Sequence, residues 1–147
     1  MISESATSST AGASRKLAQV SANARFEDLP DRVIADVERA VLDWLGSAMA
    51  GAVEIPARKM QQVIAGTGRS EEATVFCAGR AAAGRAALAN GVASHILELD
   101  DVHRSSTLHP AAPIISAALA VSEREHAQGK SFLLSVALGY DGRRPRK

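Results

Sequence analysis

The sequence predicts an all-α chain with at most one short extended segment. Apolar residues recur at steps of three and four over several stretches, the spacing of one face of a helix. Alanine dominates a hydrophobic fraction of 46%, while aromatics make up only 3%. Such a core favours closely packed helices over a sandwich or barrel. β-favouring residues cluster only at Ala73-Thr74-Val75-Phe76, before Gly79. At 147 residues, one domain with a sizeable core is expected.

The elements follow in order. Residues Met1 to Ser14 are rich in Ser, Thr and Ala and read as a flexible leader. A short helix is predicted over Arg15 to Ala24. A strong one starts at Asp28-Leu29-Pro30-Asp31, where proline fits the first turn and Asp31 the positive end of the dipole. Its stripe is Val33, Ile34, Val37, Val41, Trp44, Leu45 and Ala48, and Gly51 is its stop. A helix over Pro56 to Ile64 should turn Met60, Val63 and Ile64 inward, with Gly66 and Gly68 ending it.

From Ala81 to about Leu97 the pattern is helical again. Ala82, Ala86, Ala89 and Ala93 form a small-residue stripe that lets another helix approach to roughly 8 Å between axes. Gly91 inside this run costs about 1 kcal/mol relative to alanine and marks close packing or a bend. Asp100 to Thr107 reads as a polar loop. Pro110 opens a helix over Ala111 to about Ala127, with Ile114, Ile115, Ala118, Leu119 and Val121 apolar, and Gly129 ends it. Ser131 is a suitable N-cap for a last helix, Phe132 to Tyr140.

Composition excludes several functions. Seventeen basic and 16 acidic residues give a net charge of +1, which offers no field for nucleic acid or an anionic membrane. The basic run Arg143-Arg144-Pro145-Arg146-Lys147 is terminal and reads as a solvated tail. The leader lacks the apolar core of a signal peptide, and no apolar run reaches the roughly 18 residues that span a bilayer. The single cysteine, Cys77, cannot form an intramolecular disulfide. It reads as a buried small hydrophobe in a reducing, cytoplasmic setting.

Chemistry concentrates in one stretch. Glu98, Asp100, Asp101, His103, Arg104 and His109 lie within twelve positions of an otherwise aliphatic sequence. Loops held by a rigid helical scaffold are favoured places for binding and catalysis. On a helix, adjacent aspartates would point about 100° apart, so Asp100 and Asp101 could serve one site only in an irregular turn. Such a pair can hold a metal, orient a histidine or transfer protons; it can equally be a solvated loop with an N-cap. His103 and His109 fit an acid or base near neutrality, or a capping role. Arg104, Ser105, Ser106 and Thr107 supply donors for an anion, or turn chemistry. His95, within the helical run, reads as structural, and His126 as surface. Together Glu98, Asp100, Asp101, His103 and His109 could also be the metal cluster of a helical hydrolase, which would need ligands from further helices. The segment Asp100-Asp101-Val102-His103-Arg104 ends in arginine where a prenyl-transferring helical enzyme needs a third aspartate.

Four motifs in register resemble the MmgE/PrpD family, which includes 2-methylcitrate dehydratase and cis-aconitate decarboxylase. They are the Asp43–Gly51 helix (Asp-Trp-Leu-Gly-Ser-Ala-Met-Ala-Gly), Ala89-Asn90-Gly91 leading to Leu99-Asp100-Asp101-Val102-His103, His109-Pro110, and Gly139-Tyr140-Asp141. The resemblance covers roughly Leu29 to Asp141. It implies the N-terminal part of a large helical domain, which in the family joins a smaller α/β lid across the active site. It further implies a lyase acting on a small di- or tricarboxylate by acid/base chemistry, without metal or other cofactor, as a homodimer. Carried onto this chain, Asp100, Asp101 and His109 would be catalytic, with His109 nearest the substrate. His103, Arg104 and Glu98 would bind substrate.

The sequence departs from that pattern at Val102, where threonine is common, at Ala111 after His-Pro, and at Asp141, where glutamate is usual. Residues 142–147 no longer look like the family. The domain is therefore expected to span 15–141, incomplete and with little activity alone, since a reacting polyanion needs cations and Arg104 is the nearby fixed one.

Overall fold

Two alanine-lined helices crossing behind a polar loop set the architecture. The computed structural model describes residues 5–141. In chain order these form α1 (Ser5–Asn23), a 3-10 turn (Phe26–Asp28), α2 (Asp31–Gly51), α3 (Ile55–Ala65), β1 (Ala73–Val75), β2 (Gly79–Ala81), α4 (Ala83–His95), α5 (Ala111–Arg124) and α6 (Gly129–Asp141). The chain is mostly helical. Among the described residues, no helix is long and apolar enough to cross a membrane.

α4 is the central element, packed against α2, α3, α5 and the strands. Ala86, Ala89 and Ala93 of its predicted stripe are buried, while Ala82 precedes the helix and is half-buried. The crossing with α2 is tight. A methyl added at Gly51 would lie 2.0 Å from the Ala93 carbonyl oxygen, so only glycine fits there. Gly91 faces α5, where a Cβ would meet the Ala112 carbonyl oxygen at 3.4 Å. A second core gathers Val37, Trp44 and Ala48 of α2 with Ala111, Ile115, Val136 and Ala137 of α5 and α6. Trp44 is tilted against Phe76 with ring centroids 5.7 Å apart.

The extended segment is a hairpin of two strands, not one. β1 and β2 pair antiparallel with Ala73 opposite Ala81 and Val75 opposite Gly79. The sequence reading had assigned Ala81 to a helix. A run as short as Gly79-Arg80-Ala81 carries no periodicity of its own, and pairing with β1 decides its state. Cys77 sits in the connecting turn, exposed and at φ +59, rather than buried. Asn90 fastens this hairpin to α4: its Oδ1 accepts from Phe76 N–H at 3.0 Å and its Nδ2 donates to the Thr74 carbonyl at 2.8 Å. Ala83 N–H, at the start of α4, donates to Glu72 Oε2 at 2.9 Å, and that bond holds the Glu72 carboxyl below its ordinary value.

Other boundaries moved. α1 begins at Ser5, so the expected leader is helical from there; Met1 to Glu4 and the 142–147 tail lie outside the described residues. α5 stops at Arg124, with His126 at φ +50, and Gly129 opens α6 instead of ending α5. Ser131 is thus inside α6 and not its cap. Leu45, Val63 and Val121, expected on buried faces, are exposed.

Candidate functional site

The turn between α4 and α5 is built by its two aspartates pointing to different jobs. After His95 the chain leaves the helix. Glu98 adopts φ +51, and in this irregular turn the neighbouring carboxylates diverge instead of serving one site together. A backbone bridge pairs His103 with Leu108 and closes the loop, with His103 N–H donating to the Leu108 carbonyl at 2.8 Å.

Asp100 points inward, and its side chain has no exposed surface. His95 Nδ1 faces it at 3.0 Å from Oδ1 and 3.2 Å from Oδ2. An ionised carboxylate only accepts, so this bond puts the proton of His95 on Nδ1. His109 Nδ1 lies 3.3 Å from the same Oδ1. That is ion-pair range without hydrogen-bond geometry, and the atom is buried with no hydrogen-bond partner among the described residues. The two imidazoles meet edge to face, with centroids 4.7 Å apart. Among the described residues, His95, Asp100 and His109 place ligand atoms within 4.8 Å of one another, close enough to share an ion.

Asp101 turns the other way. Its Oδ1 accepts from Ala111 N–H at 2.9 Å, capping α5 from ten residues upstream. Its Oδ2 accepts from the Tyr140 hydroxyl at 2.9 Å. Burial, then the Asp101 bond, then the charges of Asp101, Asp43 and Asp100, push the Tyr140 phenol well above its ordinary value of 10.0.

Two concavities open on this turn. One, of about 750 Å³, is mostly apolar and runs along α4 and α5 past Leu88, Val92, Ile96, Leu108 and Pro113, with His95 and His109 at its edge. The other, of about 190 Å³, is lined by Asp101, Val102, His103, Ser106, Pro110 and Tyr140.

Of the expected residues, Asp100 and His109 are brought together, and Asp101 and His103 share the smaller pocket. His103 is exposed, with Nδ1 at 2.8 Å from Ser106 Oγ. The Glu98 and Arg104 side chains are exposed and make no hydrogen bond or ion pair among the described residues. His95 was missed. It sits on the last turn of α4, five residues before Asp100, and its position at a helix end beside an acidic loop was the available signal. Tyr140 was missed because its partner is 39 residues away.

The fold and the turn define a helical domain that presents a buried aspartate between two histidines at the mouth of an apolar groove. Residues 15–143 match the family model of the MmgE/PrpD N-terminal domain, and the chain belongs to that family. No curated protein and no solved structure matches it.

Proposed function

We propose that this chain is the N-terminal helical part of an MmgE/PrpD-type lyase, which dehydrates or decarboxylates a small di- or tricarboxylate by acid/base chemistry. The observation that supports this most is the Asp100–His109 arrangement. A buried carboxylate stands behind an imidazole that borders the groove, so Asp100 orients the ring and stabilises its positive form when it takes a proton. Asp101, read from the sequence as catalytic, acts by fixing the start of α5 and hence the place of His109. The smaller pocket, with His103 and the Tyr140 hydroxyl, would take part of the substrate.

Developing negative charge on a polyanion needs cations. In the turn only Arg104 carries a fixed one, so the reading includes little activity from this chain alone. Self-association belongs to it too: Leu42, Met49, Ile55 and Val63 are exposed apolar side chains, and light scattering of the purified chain reads its mass directly.

The test is an NMR titration with citrate as probe, following the imidazole protons. Selective, saturable shifts at His109, lost in His109→Gln, are expected at millimolar citrate. Shifts spread evenly over all four histidines, or none, overturn the assignment of the site. Enzyme-like turnover of 2-methylcitrate or cis-aconitate by the chain alone overturns the low-activity part.

A metal-dependent hydrolase is the second reading, favoured by the clustering of His95, Asp100 and His109. A non-catalytic helical interaction module is the third, and it predicts no response of the site to any carboxylate.

A further inference from the structure

We propose that the groove along α4 and α5 holds a linear alkyl arm of the substrate, whose carboxylates lie at His95 and His109. The substrate class is then a di- or tricarboxylate with an alkyl chain, not a compact polyacid. The groove encloses about 750 Å³, within the range of small-molecule sites, against about 190 Å³ for the pocket beside Tyr140.

Its lining is divided by chemistry. Leu88, Val92 and Ile96 follow one face of α4 at steps of four, and Leu108, Ala112 and Pro113 complete the apolar walls. Leu88 is 55% exposed and Leu108 37%, apolar surface that an alkyl arm removes from water. The two imidazoles border the groove where α4 ends. From Leu88 to His95 the helix rises about 10 Å, room for an extended arm of about six carbons at standard bond lengths.

Charge decides what the polar end takes. Both rings turn Nδ1 to Asp100, at 3.0 Å from His95 and 3.3 Å from His109. Nε2 is the nitrogen each ring has left, and a ring that donates from both nitrogens is positive. A ligand carboxylate on the Nε2 side faces two imidazoliums that share one buried carboxylate behind them. Two anions then balance two cations, the condition for holding such charges away from water. A purely apolar partner would cover the walls and bring no anion to the rings.

The inference takes its carboxylate head from the lyase reading and adds the arm. The two fail separately, because citrate reports the head alone.

The experiment titrates the full 147-residue chain with citrate, 2-ethylsuccinate, 2-hexylsuccinate and 1-hexanol. The ring protons of His95 and His109 and the methyl groups of Leu88 and Val92 are followed by NMR. Hexylsuccinate should shift both sets saturably and bind at least about tenfold tighter than ethylsuccinate, four methylenes at about twofold to fourfold each. Leu88→Gln, checked for folding by circular dichroism, should shrink that ratio at least about twofold. Leu42→Gln, at an exposed apolar position on α2, should leave the ratio unchanged. Equal affinity of the two succinates, with citrate still shifting His109, overturns the arm and leaves the lyase reading standing. A chain-length gain without a citrate response keeps the groove site and counts against the lyase reading. Hexanol binding as tightly as hexylsuccinate, or a full chain-length gain in folded Leu88→Gln, overturns the inference. So does a self-associated parent chain that shows no chain-length gain and turns monomeric in Leu88→Gln, which gives the groove to a second copy.

Discussion

The Tyr140 hydroxyl donates to Asp101 Oδ2 at 2.9 Å and so ties the last turn of α6 to the turn that holds the site. The same carboxylate caps α5 through Ala111 N–H. One aspartate therefore joins two helix termini that are remote in sequence.

Removing that bond gives the first prediction. Tyr140→Phe should lower stability by about 1.5–3 kcal/mol at neutral pH, the range for a hydrogen bond to a charged group. Because the folded phenol is held above 10.0, its stabilising effect is whole below that pH. It is lost as pH rises beyond 10.0, where the unfolded tyrosine ionises first. Urea unfolding between pH 7 and 11 should show an alkaline decline in the parent chain and a shallower one in Tyr140→Phe. Equal slopes would separate Tyr140 from that decline.

The crossing of α2 and α4 gives the second. Gly51→Ala must displace the Ala93 backbone and should cost at least about 1–3 kcal/mol. Gly46 lies on the same helix with open space around it, and Gly46→Ala should stabilise by about 0.5–1 kcal/mol. Thermal unfolding of the two variants should move in opposite directions.

Asn90 is 1% exposed and satisfies two backbone groups of the hairpin. Asn90→Leu leaves Phe76 N–H and the Thr74 carbonyl without that partner, at about 1–3 kcal/mol for each group that stays buried. Hydrogen exchange should quicken at Phe76 before it quickens in α6. Uniform acceleration would mean that the hairpin has no separate stability.

Cys77 occupies the left-handed region at φ +59, which costs a residue with a Cβ about 1–2 kcal/mol. Glycine removes that strain but costs about 0.5–1 kcal/mol in unfolded-chain entropy. Cys77→Gly should therefore be neutral to stabilising by roughly 1 kcal/mol. A drop in denaturation midpoint would show that the thiol makes a contact worth more than the strain.

The helical class was legible because period is a local property. The stripe through Val37, Trp44 and Ala48 and the run Ala86, Ala89, Ala93 name their own buried faces, and the structure buries both. The chemistry-bearing loop was legible too, since charge density in an aliphatic chain needs no fold to be seen. β2 was not, because three residues acquire strand geometry only from a partner. Nor was the exposure of Leu45 and Val63, since which side of an amphipathic helix meets a neighbour depends on where that neighbour stands.

Within the site the division is sharper. Sequence placed Asp100, Asp101 and His109 in one loop between two helices, because spacing and a helix-opening proline set that much. Only the tertiary structure decided that Asp100 turns in between His95 and His109 while Asp101 turns out to cap α5 and receive Tyr140. Adjacent residues in irregular backbone have no fixed angle between their side chains. The direction of each carboxylate is set by donors that come from the end of α4, the start of α5 and the end of α6.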